Sequence, residues 1–388
     1  MSTSTQEKPA SRVPATTRAR RRPFGRPLLY TSYSSEMALF NTGTKKLGIT
    51  LLLLLGAAMP FLLPDRQLQT LATGCVWSIG AIGLMLVTGY AGQVSLGHPV
   101  FIGIGAYTAA VLSGDPNGRT LGFGIEEIWI WLPAAGIVAA LFGILVAPLA
   151  TRLRGLYLAI VTLGLVFIAS YFFAAFSEIS GGTNIGRSSA TPVLFGERLN
   201  VSGPMFTRDQ KIFWLVFVLL VIFAFAARNI ARSRVGRAFT AIRDRDIAAG
   251  VMGVNLARHK TVAFGVSSFY AGCCGAVFYI VTGFFVPEKF DLEMAVLFIA
   301  MVLVGGVGTI SGAIMGAFFF AFLPEITRRV PQFIPFISGS DTSTPNVHQL
   351  ETVLYGALII LFLIFEPRGL YGIWMRIRNY WKAWPFSY

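Results

Sequence analysis

Long apolar runs alternate with short charged stretches from residue 47 to residue 365. About 20 helical residues cross the roughly 30 Å hydrocarbon layer of a bilayer, and a helix satisfies its own backbone there. The runs at 47–63, 70–88, 97–113, 128–150, 155–176, 212–227, 261–286, 294–323 and 352–365 are therefore predicted as membrane spans. The fold class that follows is all-α, a polytopic transmembrane helical bundle. Two places break the pattern. Gly89 and Gly92 lie between the second and third runs and Gly97 opens the third, and Gly305, Gly306, Gly308 and Gly312 lie at the centre of 294–323.

These glycine clusters predict interrupted or re-entrant segments, because glycine adopts turns that other residues resist. Irregular backbone at membrane depth survives only when buried in protein or lining a wet cavity. Both clusters share Gly-x-x-Gly with a serine three residues on: Gly89, Gly92, Ser95 and Gly305, Gly308, Ser311. Interrupted helices in internal repeats mark substrate sites in transporters. The candidate translocation pathway is therefore Gly89, Gly92, Gln93, Ser95, Gly97 and His98, with Gly305, Gly306, Gly308, Thr309 and Ser311. The local alternative has the Ser and Thr hydroxyls bonding nearby carbonyls and His98 capping a turn.

Charge supplies a topology and one contradiction. The connection 228–260 carries Arg228, Arg232, Arg234, Arg237, Arg243, Arg245, Arg258 and Lys260 against Asp244 and Asp246, so it is expected in the cytoplasm. Counting back through single crossings puts Arg152 and Arg154 inside, the loop with Asp115, Glu126 and Glu127 outside, and the basic N-terminal tail inside. Counting forward puts Glu288, Asp291 and Glu293 outside. A single crossing over 294–323 would then leave Arg368, Arg376, Arg378 and Lys382 outside as well, against the same rule. Either 294–323 enters and leaves by one face, or divides into two short passes, or it is one tilted helix whose glycines serve close packing.

Composition narrows the chemistry. Of 388 residues, 54% are apolar and only 13% charged, which excludes an ordinary water-soluble domain. The net charge of +14 lies between apolar runs and in the tails, which orients a membrane protein and does not line a nucleic-acid-binding face. Residues 1–45, with Pro9, Pro14, Pro23 and Pro27 among arginines, read as a disordered basic cytoplasmic tail; 46–373 is the transmembrane domain and 374–388 a cytoplasmic tail. The first run lacks a small-x-small cleavage site and is read as a span. Cys75, Cys273 and Cys274 are read as small packing residues.

The apolar runs hold no Asp, Glu, Lys or Arg, so an ion-coupling group is missing. Neither a phosphate loop nor a His-Glu-x-x-His metal motif occurs, and no cofactor is expected on this chain. Uphill transport would draw on another chain. In 228–260, Val235, Ala238, Phe239, Ile242 and Ala249 share one helical face, the pattern of a short amphipathic helix ended by Gly250 and Gly253, with Asn255 capping the next helix. Such a helix suits a groove on a soluble partner or an anionic lipid surface.

The chain resembles the branched-chain amino acid ABC permease family of the LivM type. The likeness rests on 89–98 with Gly103-Ile104-Gly105-Ala106-Tyr107, on 152–164, on 236–244 and on 305–312, in an order and spacing that cover about residues 70 to 373. It implies a non-enzymatic permease of a bacterial cytoplasmic membrane, with both termini cytoplasmic. Implied partners are a second, LivH-like permease, two ATP-binding subunits that carry the ATP and Mg, an extracytoplasmic substrate-binding protein, the lipid bilayer and a small amino-acid substrate. In such systems 236–253 would be the coupling helix, making Arg237, Ala238, Ala241, Arg243, Asp244 and Gly253 candidates for ATPase coupling. A zwitterion crossing the membrane needs uncharged hydrogen-bond partners such as Gln93, Ser95, His98, Thr309 and Ser311.

One departure stands at Gly181-Gly182-Thr183-Asn184-Ile185-Gly186-Arg187, where relatives carry glycine directly after the asparagine. The family also includes urea and short-amide permeases, and a sugar or urea permease within the same broad ABC class is the first alternative. A stand-alone channel or facilitator is the reading from another class, and it would have no use for 228–260.

Overall fold

The structure, a computed structural model, describes residues 43–153, 155–189, 192–203, 205–328 and 347–383. Arg154, most of the predicted N-terminal tail and residues 384–388 lie outside these residues. The chain divides into two compact units, Met1–Gly56 and Ala57–Tyr388. The first contributes the opening turns of helix α1 (Gly43–Leu62), and the second holds everything that follows.

Among the described residues the fold is helical with four two-residue strands, and six helices are long and apolar enough to cross a membrane. The predicted runs appear as α1, α2 (Asp65–Leu84), α3 (His98–Ser113), α4 (Ile128–Arg152), α5 (Leu156–Ala175), α6 (Arg208–Arg232), α8 (Leu256–Thr282), α9 (Leu292–Gly305), α10 (Ile310–Thr327) and α11 (Val347–Phe365). The connection between α6 and α8 forms α7 (Arg234–Val251), and α12 (Gly369–Ala383) follows α11. The chain is thus the multi-pass membrane protein that its pattern predicts.

Helix α8 is buried along most of its length and packs on α2, α3 and α4. With lipid tails as apolar as leucine, close backbone approach has to bind these helices together. Small residues make that approach possible: Gly105 faces the backbone of Gly272, Gly275 faces Ile102, and Gly143 faces Ser268. All three cysteines are buried and reduced, with Cys273 against Gly136 and Cys274 against Gly80, as packing residues should be. Helices α4 and α5 turn Leu141, Leu145, Leu156, Tyr157 and Tyr171 outward, an apolar surface suited to lipid.

The charge contradiction at 294–323 disappears in the structure. This segment is two antiparallel helices, with Gly305 of α9 against Gly312 of α10 and Met301 against Gly316. The chain reverses at Gly306 (φ 120°) and Gly308 (φ 84°), which excludes a single tilted helix. Asp291 caps α9 by accepting from Met294 N at 3.2 Å, and Thr309 caps α10 by accepting from Gly312 N at 3.2 Å. The hairpin adds one passage and restores parity, so α12 stands at the same end of the bundle as α7.

At the opposite end, Arg66 pairs with Glu325 at 3.1 Å and Thr207 Oγ1 donates to Asp65 at 3.1 Å. Strand β1 (Arg187–Ser188) pairs antiparallel with β4 (Phe284–Phe285), and β2 (Val193–Leu194) with β3 (Glu197–Arg198). The departure at Ile185 has a local account: Asn184 itself takes the left-handed conformation (φ 60°), Ile185 points to the outside, and Gly186 makes the close approach to Phe285. The buried Arg187 donates to Ile179 O at 3.0 Å, to Leu121 O at 2.7 Å and to Ala110 O near the end of α3. Burial lowers its pKa from the ordinary arginine value, and the Tyr279 hydroxyl opposes that shift.

Candidate functional site

The first glycine break begins where α2 ends, as the chain winds on through Met85–Tyr90 as a π-helix. Such bulges free carbonyls and occur often at functional sites. The chain then turns at Gly92 (φ 67°) and enters α3 at His98, with Gly97 as its cap. Leu96 N donates to Thr162 Oγ1 of α5 at 2.9 Å, tying the break to a neighbouring span.

The second break lies against the first. Gly308 N reaches Met85 Sδ at 3.0 Å, and a side chain at Gly89 would run into the backbone of Gly308. Where the two meet stands Arg243 of α7, whose Nη1 donates to Gly89 O at 2.9 Å. The same guanidinium holds Asp244 through Nε at 3.0 Å and Nη2 at 3.0 Å. Gly92 lies directly on Arg243: a Cβ there would be 2.8 Å from its Cγ and 3.1 Å from its Cα. At Gly308 a Cβ would stand 3.4 Å from Arg243 Nη1. Two glycine breaks far apart in sequence therefore converge on one side chain of the amphipathic helix.

A charge-assisted hydrogen bond of this kind contributes on the order of 1.5–3 kcal/mol. The Arg243–Asp244 pair, solvated and adjacent in sequence, adds about 0–1 kcal/mol and mainly aims the guanidinium. Helix α7 bends at Arg245 (φ −156°, ψ 98°), two residues beyond the tie. Its buried residues include Phe239, Ile242 and Ala249 of the predicted face. The predicted cap holds too, with Asn255 Oδ1 accepting from Arg258 N at 3.0 Å.

The other sequence-predicted residues spread over distinct settings. Gln93, Ser95 and His98 are buried, and each is engaged with backbone: Gln93 Nε2 donates to Ala91 O at 3.2 Å, Ser95 Oγ accepts from Gly97 N at 3.3 Å, and His98 Nε2 meets Gly80 O of α2 at 2.9 Å. His98 bridges two helices and caps no turn, and its ring leans on Phe298 at 5.3 Å. Thr309 Oγ1 also donates to Gly306 O at 3.1 Å, while Ser311 faces outward. Arg237, Ala241, Asp244 and Gly253 lie exposed on α7 or its end, and Ala238 is half-buried. Arg237 Nη1 donates to Arg232 O at 3.2 Å. Of the candidates on α7, only Arg243 reaches the breaks.

Two residues at this junction escaped sequence reasoning. Thr162 lies within the 152–164 stretch that carries the family likeness, so its signal was present. Met85 gave none, because a methionine in an apolar run looks like any other core residue. Beside the second break, a cavity of about 430 Å³ is lined by residues including Thr309, Glu366, Arg368, Tyr371 and Arg376.

A family model described as "Branched-chain amino acid transport system / permease component" matches residues 66–363. The high-affinity branched-chain amino acid transport system permease protein LivM of Escherichia coli (strain K12) is 30% identical over 346 residues, covering 85% of this chain and 76% of the relative. LivM of Salmonella typhimurium matches to the same extent, 30% over 346 residues. The autoinducer 2 import system permease protein LsrC of Yersinia pseudotuberculosis serotype O:1b is 30% identical over 285 residues, 71% of this chain and 74% of its own length. No solved structure matches.

Proposed function

The chain belongs to the family of branched-chain amino acid transport permease components, and on that premise we propose that it is the membrane subunit of an ATP-driven importer in a bacterial cytoplasmic membrane. Its cargo is a branched-chain or similarly apolar amino acid. A second, LivH-like permease, two ATP-binding subunits carrying ATP and Mg, and an external binding protein complete the machine. Helix α7 is the coupling helix and faces the cytoplasm with both chain ends.

The observation that carries this reading is Arg243 at the meeting of both glycine breaks. A helix moved by an ATPase has to shift the membrane helices, and here one guanidinium joins it to the π-turn of α2 and stands beside the turn of the α9–α10 hairpin. ATP then favours one global arrangement by binding it more tightly, and the substrate does the same reciprocally. Absence of Asp, Glu, Lys and Arg from the predicted apolar runs fits an engine on another chain.

The test is co-purification with the ATP-binding subunits, reconstitution with the cognate binding protein, and measurement of ATPase stimulation by leucine, isoleucine or valine. Stimulation and uptake by these amino acids support the reading. Stimulation only by a sugar, a short amide or autoinducer 2, the last brought in by the likeness to LsrC, would keep the importer and replace the cargo. Solute conduction by the chain alone in protein-free liposomes would overturn the importer itself.

A further inference from the structure

Helix α12 lies beyond residue 363, where the family match stops, and its two sides have different surroundings. One side lies against the second break: Gly369, at φ 64°, sits where a Cβ would be 2.7 Å from Gly306 N, and a Cβ at Gly306 would be 2.7 Å from Arg368 O and 3.2 Å from Tyr371 Cβ. Gly372, Met375, Arg376 and Asn379 continue this side along the cavity beside the break.

The other side is apolar and uncovered. Ile373, Trp374, Ile377, Tyr380 and Trp381 fall within about a third of the helix circumference. They are among the exposed large hydrophobic residues, from 38% at Ile373 to 72% at Trp381. Arg378 borders this arc in the helical projection. Arg376 is turned to the other flank and pairs with Glu366 at 2.5 Å. Tryptophan and tyrosine with basic neighbours suit the headgroup zone, where one end of the ring is apolar and the other wet. The preceding apolar helix, α11, ends at Phe365, so α12 starts four residues beyond it. A soluble partner would have to reach into that zone to cover the same face.

We infer that α12 is an interfacial helix whose Ile373–Trp381 face inserts among anionic lipid headgroups, and that its attachment sets the position of the second glycine break through Gly369 and Tyr371. The occupant is the bilayer surface, selected by the bordering arginine. Each such cation near an anionic surface contributes about 1 kcal/mol, or roughly fivefold in partition.

The test uses the complete transporter in nanodiscs of phosphatidylcholine alone or mixed with phosphatidylglycerol. A Tyr380→Cys variant is labelled with an environment-sensitive fluorophore, the three native cysteines being buried. Lipids brominated on the acyl chain quench the label, iodide in the water does not, and phosphatidylglycerol deepens the quenching. Arg378→Gln weakens that increment about fivefold and leaves the phosphatidylcholine value unchanged. In unlabelled protein, the Trp374→Phe, Trp381→Phe pair removes the corresponding lipid-quenchable fluorescence, a readout independent of the cysteine variant. Quenching by iodide and not by brominated lipid, in both bilayers, overturns the inference. Shielding that appears only when the ATP-binding subunits are present also overturns it, because a protein then covers the face.

Discussion

Gly92 and Gly308 both turn the chain with positive φ, yet they meet Arg243 differently. At Gly92 a Cβ would press on the Arg243 side chain and backbone at 2.8 to 3.1 Å, whereas at Gly308 the nearest atom is Arg243 Nη1 at 3.4 Å. Alanine at either position carries the left-handed penalty of about 1–2 kcal/mol, and at Gly92 it also displaces the arginine. Uptake in reconstituted vesicles is expected to fall by at least about tenfold in Gly92→Ala and by less in Gly308→Ala, with complex assembly intact in both. The reverse order would place the critical contact elsewhere. Arg243→Lys keeps the charge but has no planar fork to hold Gly89 O and Asp244 together. More ATP hydrolysed per molecule transported is the expected signature, and an unchanged ratio would remove Arg243 from the coupling path. At this scale the glycines were legible, because their density in an apolar stretch has few other uses. Their meeting was not: Gly89 and Arg243 are 154 residues apart, and Met85 and Gly308 are 223 apart.

The helices themselves were easy to read because their apolar runs exceed what a soluble core needs, and boundaries moved by only a few residues. Helix α6 runs four residues earlier and five later than its apolar stretch, since Arg208 and Arg232 lie at its ends. Helix α7 was visible as an amphipathic segment, but its bend at Arg245 was not, as neither proline nor glycine marks it. The hairpin was half-legible: charge parity demanded two passes or a return, while the glycines alone fitted a straight helix equally well. Packing by small residues makes a clear prediction. Gly275→Leu would drive a side chain into the Ile102 carbonyl of α3, whereas nothing lies within 4 Å of a Cβ at Gly164. Overpacking against backbone costs more than the usual 1–3 kcal/mol or so of a crowded core. Gly275→Leu is expected to lower the melting temperature in detergent or to abolish the monodisperse peak. Gly164→Leu is expected to leave both unchanged, and an equal effect of the two would mean that α3 and α8 are not in close contact.

Over the whole molecule, the connection between α6 and α8, the two glycine breaks and α12 gather at one end, and Asp65, Glu325, Arg187 and the short strands gather at the other. This division depends on α9 and α10 being two passes, because parity alone decides where α12 falls. It can be read from outside the cell. Ala241 on α7, Asn379 on α12 and Asn117 in the loop after α3 are all exposed, and the native cysteines are buried. An impermeant maleimide is expected to label Asn117→Cys in intact cells, and Ala241→Cys and Asn379→Cys only after permeabilisation. Labelling of Asn379→Cys together with Asn117→Cys in intact cells would put α12 outside, where it could reach neither the second glycine break nor an anionic cytoplasmic leaflet. The hairpin would then have to be a single crossing and Gly306 could not meet Arg368, so one gel separates the two architectures.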